Sequence, residues 1–336
     1  MIKQTTNSEI AVVPQPKASS RIAALLIRLL HVREMAMLVL ILLICVIMSI
    51  LSPYFFSKTN FLSMARGFSM EGMVTIGMTL LLITGAFDLS VGAVMALSGI
   101  VTASLIVSLH LPYGVAFLGG LGVGLIVGFI NGTLVTRLKV NALIATLGMM
   151  TVTRGIALGI TEGSPVVNVP LDFAWLGQGS VAGIPVPFII LAVMIVVVDI
   201  LLRRGRTLRQ LYYIGGNQKA ARFSGIQVDR IILLTFMGSG LAAALGGIIT
   251  MARLTSGIPT AYEGVELRII AACVIGGASL SGGEGTIIGA ILGLAFMALV
   301  SNAMTMLGVS VYWVGVVTGA ILIFAVAMDM LSRRRS

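Results

Sequence analysis

The sequence predicts an all-α polytopic membrane protein of about ten transmembrane helices, with both termini cytoplasmic and an internal duplication. Three observations carry this prediction. Of the 336 residues, 58% are apolar and 10% charged, with a mean hydropathy of +1.08. Soluble domains carry roughly a quarter charged residues, so this chain needs a nonaqueous solvent. Its apolar residues also fall in runs close to the ~20 that a helix needs to cross ~30 Å of hydrocarbon. Finally, its cations collect in a few of the intervening loops.

The elements follow in order. Residues 1–18 read as a disordered cytoplasmic tail. Over 19–34, Arg21, Ala24, Arg28 and His31 recur at helical spacing among Ile22, Leu25, Leu26, Leu29 and Leu30. This cationic stripe on an apolar helix suits the lipid headgroup layer. Met35 to Leu51 contains no charge and runs into Ser52-Pro53, so it reads as an uncleaved first span. Further spans are expected at 67–86, 90–110, 112–136, 142–160, 184–202, 231–252, 267–280, 286–307 and 311–330. All belong to one transmembrane domain over 35–331, with a cytoplasmic loop at 203–230 and a basic tail at 332–336. The segment 267–280 is short and Gly-rich, the pattern of a broken or re-entrant helix.

Sidedness follows from the cations. Residues 1–34 hold five, the 137–141 loop two, the 203–230 loop seven and the C-terminus three, seventeen of the twenty-two in all. Lys and Arg are retained in cytoplasmic loops. The net charge of +10 is therefore an orientation signal, and nucleic-acid binding is excluded as its cause.

Forty glycines point to close helix packing, because helices in lipid associate by backbone approach. Gly120, Gly124 and Gly128 recur every fourth residue, as do Gly285, Gly289 and Gly293. Each triplet precedes an asparagine, Asn131 or Asn302, as a duplication would produce. Polar side chains inside spans are costly and mark pathways. Asp88, Ser90, Asn131 and Asn302 are thus candidates for a translocation path or gate, with Asp88 alternatively a helix cap. Glu71 and Arg154 are expected as buried charges, paired or facing a hydrated cavity.

In the 203–230 loop, Gly215-Gly216 ends one element, Asn217 is a good N-cap and Gly225 a good stop. They leave two helical turns from Gln218 to Ser224. Ala220 and Ala221 permit close approach, Phe223 supplies an apolar knob, and Lys219 and Arg222 supply charge. So short a helix is unstable alone and calls for a partner protein or neighbouring helix ends. No lysine follows a glycine, so the chain has no P-loop. It has no GxSxG elbow, and two histidines and two cysteines, Cys45 and Cys273, inside apolar runs leave little for catalysis. A secondary transporter or channel would share these features.

Four stretches carry a resemblance: ITGAFDLSVGAVMALSG (83–99), GFINGTLVTRLKVNALIATLGMM (128–150), IGGNQKAARFSGI (214–226) and ELRIIAACVIGGASLSGGEGTIIGAILG (266–293). The chain resembles the permease subunits of bacterial ABC importers for monosaccharides, the ribose, xylose and galactose group, related to autoinducer-2 permeases. Permeases for branched-chain amino acids are more distant. Ala86-Phe87 stand where the family more often has Gly-Ile, and Glu284 stands where it often has a basic residue or another side chain.

The resemblance implies a non-enzymatic subunit of the bacterial inner membrane that binds no cofactor itself, with ATP and Mg held by a partner ATPase, often tandem-domain. It implies a second permease, as homodimer or related heterodimer, and a periplasmic sugar-binding protein. The stretch Gly216, Asn217, Lys219, Ala220, Ala221, Arg222, Phe223, Ser224 and Gly225 matches the family's ATPase-coupling segment. The outer loop 161–183, with Glu162, Asp172 and Trp175, and the segment 253–268, with Arg253, Glu263, Glu266 and Arg268, are candidate docking surfaces.

Overall fold

The structure, a computed structural model, describes residues 33–333. The expected tail 1–18, nearly all of the interfacial helix 19–34 and the last three residues of the basic tail lie outside the described residues. Among the described residues there are thirteen helices and one hairpin of two two-residue strands. They are α1 (Arg33–Leu51), α2 (Lys58–Ile83), α3 (Val91–Val107), α4 (Tyr113–Thr136), α5 (Ala142–Thr161), α6 (Leu171–Gln178), β1 (Ser180–Val181), β2 (Ile184–Pro185) and α7 (Val186–Arg204). Then come α8 (Arg206–Gly216), α9 (Gln218–Phe223), α10 (Val228–Leu254), α11 (Val265–Ile275), α12 (Ile287–Met306) and α13 (Val311–Arg333).

Local signals set most boundaries. Ser57 caps α2 by accepting from the Asn60 amide, and Asn141 caps α5 by accepting from the Leu143 amide at 2.9 Å. Pro112, Pro170 and Pro185 stand just before α4, α6 and α7, where a missing N–H does no harm. Six helices, α2, α4, α5, α7, α10 and α12, are long and apolar enough to cross a membrane. Met37–Leu51, Val91–Val107 and Tyr312–Ala327 are shorter apolar stretches.

Two expectations are corrected, and the broken helix expected at 267–280 is given its extent. Helix α2 begins at Lys58, nine residues earlier than hydropathy alone placed it, because its first two turns are polar but well capped. The segment 267–280 is not a full span: α11 has 11 residues, about 17 Å of helix. It ends at Gly276, and Gly277, with φ +95°, turns the chain away. Gly285, with φ +143°, lies in that same turn before α12 begins, so the second glycine triplet is not a helical stripe.

Glycine contacts give the packing register. Along α4, Gly132 meets Leu233, Gly128 meets Phe236 and Gly124 meets Gly240, so α4 runs antiparallel to the central α10. A Cβ on Gly124 would strike the Gly240 carbonyl. Helix α2 also runs antiparallel to α10, with Gly77 on Ser239 and Met70 on Gly246, while α3 runs parallel to it, with Met95 against Gly247. Gly289 and Gly293 seat α12 on Gly276, which caps α11, and on Ala272 of α11. These are the close backbone approaches that replace hydrophobic drive in lipid.

Sidedness also has a structural correlate. Asp229, at the start of α10, accepts from Lys139 at 2.9 Å and from Arg222 at 2.7 Å. The α4–α5 turn and α9 therefore share one end of the bundle. At the head of α12, Thr286 donates to Glu34 of α1 at 2.9 Å, bringing the starts of those helices together.

Candidate functional site

At that basic end, α9 has nearly the expected bounds. Asn217 accepts from the Ala220 amide at 3.0 Å. At the other end Gly225, with φ +81°, lets the Ile226 amide reach back to Ala221 at 3.1 Å, a closure that needs a left-handed residue. Ala221 is buried against the bundle, whereas Gly216, Lys219, Ala220, Arg222, Ser224 and Gly225 are exposed and Phe223 is 93% exposed. Arg222 is engaged with Asp229, which leaves Phe223 and Lys219 as the outward knob and charge.

Helix α8 ties this surface to the membrane core, a link the sequence reading missed. Leu211 and Ile214 are fully buried, and the Tyr212 hydroxyl donates to the Gly285 carbonyl at 2.7 Å. Burial pushes the Tyr212 phenol above its usual range, so it remains a donor. Gly215 presses on the Ile83 carbonyl and on Gly282 and Gly283, and the Gly283 amide donates to Ile83 at 2.9 Å. The end of α2, the 276–286 loop and the coupling segment thus meet at one point. The Gly-Gly pair after Tyr212 was the available signal, but it reads equally well as a simple helix end.

Asp88, Ser90 and Asn131 do come together. The Asp88 carboxylate accepts from the Ser90 amide at 2.8 Å, the Ser90 hydroxyl at 2.6 Å and the Asn131 amide at 3.3 Å. Asn131 also donates to Ser90 Oγ at 3.0 Å, and all three residues are buried. The cluster both turns the chain into α3 and pins the 84–90 loop to α4. Asn302 does not join it. It exchanges amide hydrogen bonds of 2.7 and 3.2 Å with Asn60, tying α12 to α2 elsewhere. Asp88→Ala would strand the Ser90 and Asn131 donors, at about 1–3 kcal/mol for each buried unpaired group. Uptake at equal expression is expected to fall at least tenfold, and wild-type uptake would restrict Asp88 to chain turning.

Glu71 and Arg154 do not pair with each other. Glu71 of α2 forms a hydrogen-bonded ion pair with Arg268 of α11. Arg154 of α5 donates to the carbonyls of Pro259 and Ala261, the latter at 2.8 Å, and faces the charges of Glu263 and Glu266. The segment 253–268 is therefore only partly an outer surface. Its first residues pair with the 162–170 loop through Val166 and Gly257, and the rest folds inward against α2, α3 and α5. Gly92 of α3 is packed so tightly on the Tyr262 carbonyl and the Glu266 carboxylate that no Cβ fits.

At the opposite end from α9, α6 presents Asp172 and a half-exposed Trp175, and Glu162 ends α5 in the open. Arg66 donates to the Gln178 carbonyl at 3.0 Å, and the Gln178 side chain donates to the Arg253 carbonyl at 2.8 Å. Both cysteines are free.

Residues 60–326 match the family described as branched-chain amino acid transport system / permease component. The chain is 39% identical over 301 residues to the ribose import permease protein RbsC of Escherichia coli, covering 88% of this chain and 93% of that protein. It is 36% identical over 301 residues to the L-arabinose transport system permease protein AraH of Escherichia coli, covering 90% and 92%. It is 38% identical over 282 residues to the D-allose transport system permease protein AlsC of the same organism, covering 84% and 86%. No solved structure matches the chain.

Proposed function

The chain belongs to the branched-chain amino acid transport system / permease component family, and from that premise we propose that it is the membrane-spanning permease of an ATP-driven monosaccharide importer. The observation that carries the mechanism is α9: a capped, two-turn helix holding Phe223 out from the basic end of the bundle. The subunit is a multi-pass membrane permease and not itself catalytic. Identities of 36–39% to permeases named for ribose, L-arabinose and D-allose favour a sugar over an amino acid.

In this reading a partner ATPase receives α9 in a groove, a periplasmic sugar-binding protein docks around α6 and Arg253, and a second permease completes the path. ATP binding and hydrolysis occur in the partner. Ten passes through the membrane, with α11 a half-helix, put both termini in the cytoplasm. The packing of α3 on α4 and α5, echoed by α11 on α12 and α13, supports an inverted duplication of α2–α5 and α10–α13. Closure of the ATPases would rock the helices between outward-open and inward-open states.

Gly225→Val is expected to leave the chain in the membrane but to reduce copurification of the ATPase at least fivefold, because a β-branched residue resists φ +81°. Normal copurification and uptake would remove α9 from the coupling role. ATP-dependent uptake of labelled pentoses, hexoses and polyols, with and without this chain, tests the function itself. Uptake that persists without any ATPase would favour a secondary transporter or channel.

A further inference from the structure

Five charged side chains, Glu71, Arg154, Glu263, Glu266 and Arg268, gather at one level inside the bundle, and all but Glu266 keep some exposure. Glu71 lies about 20 Å along α2 from Lys58, and Arg154 about 18 Å along α5 from Ala142. The two helices cross in opposite directions, so both charges fall in the middle of the ~30 Å hydrocarbon layer. Because Arg154 holds the carbonyls of Pro259 and Ala261, the loop before α11 is drawn to the same depth. Glu263, Gly264 and Leu267 are exposed there, Arg268 and Arg154 partly so, whereas α11 is buried from Ile269 to Val274. The Glu71–Arg268 pair keeps 19% and 29% of its side chains open. The Nε–H of Arg268 is enclosed without a hydrogen-bond partner in the chain.

Exposed charge at mid-depth cannot face hydrocarbon. Nor does the strip resemble an outer docking surface, since Arg154 reaches it from the middle of a membrane helix. We propose that it lines the water-filled path between this chain and a second permease copy. There Glu263 and Arg154, backed by the Glu71–Arg268 pair, form a transient subsite for sugar hydroxyls. Carboxylates accept from such hydroxyls and guanidinium groups donate to them, in charge-assisted bonds. A neutral polyol is bound without net charge transfer and released easily, as a path requires. This assignment rests on the sugar-importer reading and places its substrate away from the buried Asp88 cluster.

The test uses Glu263→Cys in a chain carrying Cys45→Ala and Cys273→Ala, assembled with its ATPase in membrane vesicles. A water-soluble, membrane-impermeant thiosulfonate is expected to label it, at a rate differing at least fivefold between nucleotide-free and vanadate-trapped complexes. In parallel, Glu263→Gln and Arg154→Gln should each lower uptake at least fivefold with ATPase copurification unchanged. Labelling at one constant rate would make Glu263 part of an ordinary outer loop, and labelling only by a lipid-soluble maleimide would make it lipid-facing. Either result overturns the proposal, and wild-type uptake by both glutamine variants overturns the subsite. If the wild-type chain shows no ATP-dependent sugar uptake, the importer reading falls, while the labelling still decides whether the strip is wet.

Discussion

Gly215→Ala is expected to abolish sugar uptake, at least tenfold below wild type, while the chain still reaches the membrane and still copurifies with its ATPase. The backbone at Gly215 does not have a positive φ, so alanine introduces no local strain. The damage comes from contact alone. The new Cβ would lie far inside van der Waals contact distance of the Ile83 carbonyl oxygen and of the Gly283 amide nitrogen. Neither is a flexible side chain that can turn aside, so α8 must lift away from the end of α2 and from the 276–286 loop together. The outward face of α9 is untouched, so docking should survive while movement is no longer transmitted.

Gly216→Ala is the control. Its Cβ would meet nothing within 4 Å in this chain, so it cannot lift α8, and any fall in uptake should be matched by a fall in ATPase copurification. Tyr212→Phe removes only the hydroxyl bonded to Gly285, a loss of about 1 kcal/mol, and should give an intermediate defect in sugar moved per ATP hydrolysed. Equal uptake by Gly215→Ala and Gly216→Ala would show that α8 is only a tether.

What the sequence made legible was what local chemistry decides. The apolar runs placed all ten expected spans over observed helices, although α11 fills only part of 267–280. Asn217 and Gly225 bounded α9 because a cap and a left-handed stop are encoded within nine residues. The failures share a different cause. Glu71 finds Arg268 197 residues later, and no pattern near either residue names the other. Asn131 and Asn302 follow similar glycine spacings, yet one meets Asp88 and the other Asn60, because contact depends on which helix lies opposite. Gly285 matches its triplet in spacing but takes a backbone conformation no helix allows. The polar start of α2 hid five buried or half-buried helical residues from hydropathy, since a cap and a neighbour's asparagine can compensate there for missing apolar surface.

The Glu71–Arg268 pair offers the sharpest separation between holding the fold and serving the path. Breaking a buried pair from one side costs about 3–5 kcal/mol, because the remaining charge is stranded, whereas replacing both partners is often nearly neutral. Here both side chains keep some contact with solvent, which screens the stranded charge and brings the expectation down to about 2–3 kcal/mol. Glu71→Gln and Arg268→Gln should therefore each lower the unfolding temperature of the detergent-solubilised chain, with the double variant recovering most of the loss. Additive losses would mean the two side chains are not coupled. The same three variants discriminate function. If the pair only clamps the first turn of α11 to α2, uptake should recover with stability in the double variant. If its charges also meet the sugar, the double variant should be stable and still transport at least fivefold more slowly. A clamp needs only that the two side chains suit each other, whereas a path needs their charges to remain, so stability and transport should part in that one variant.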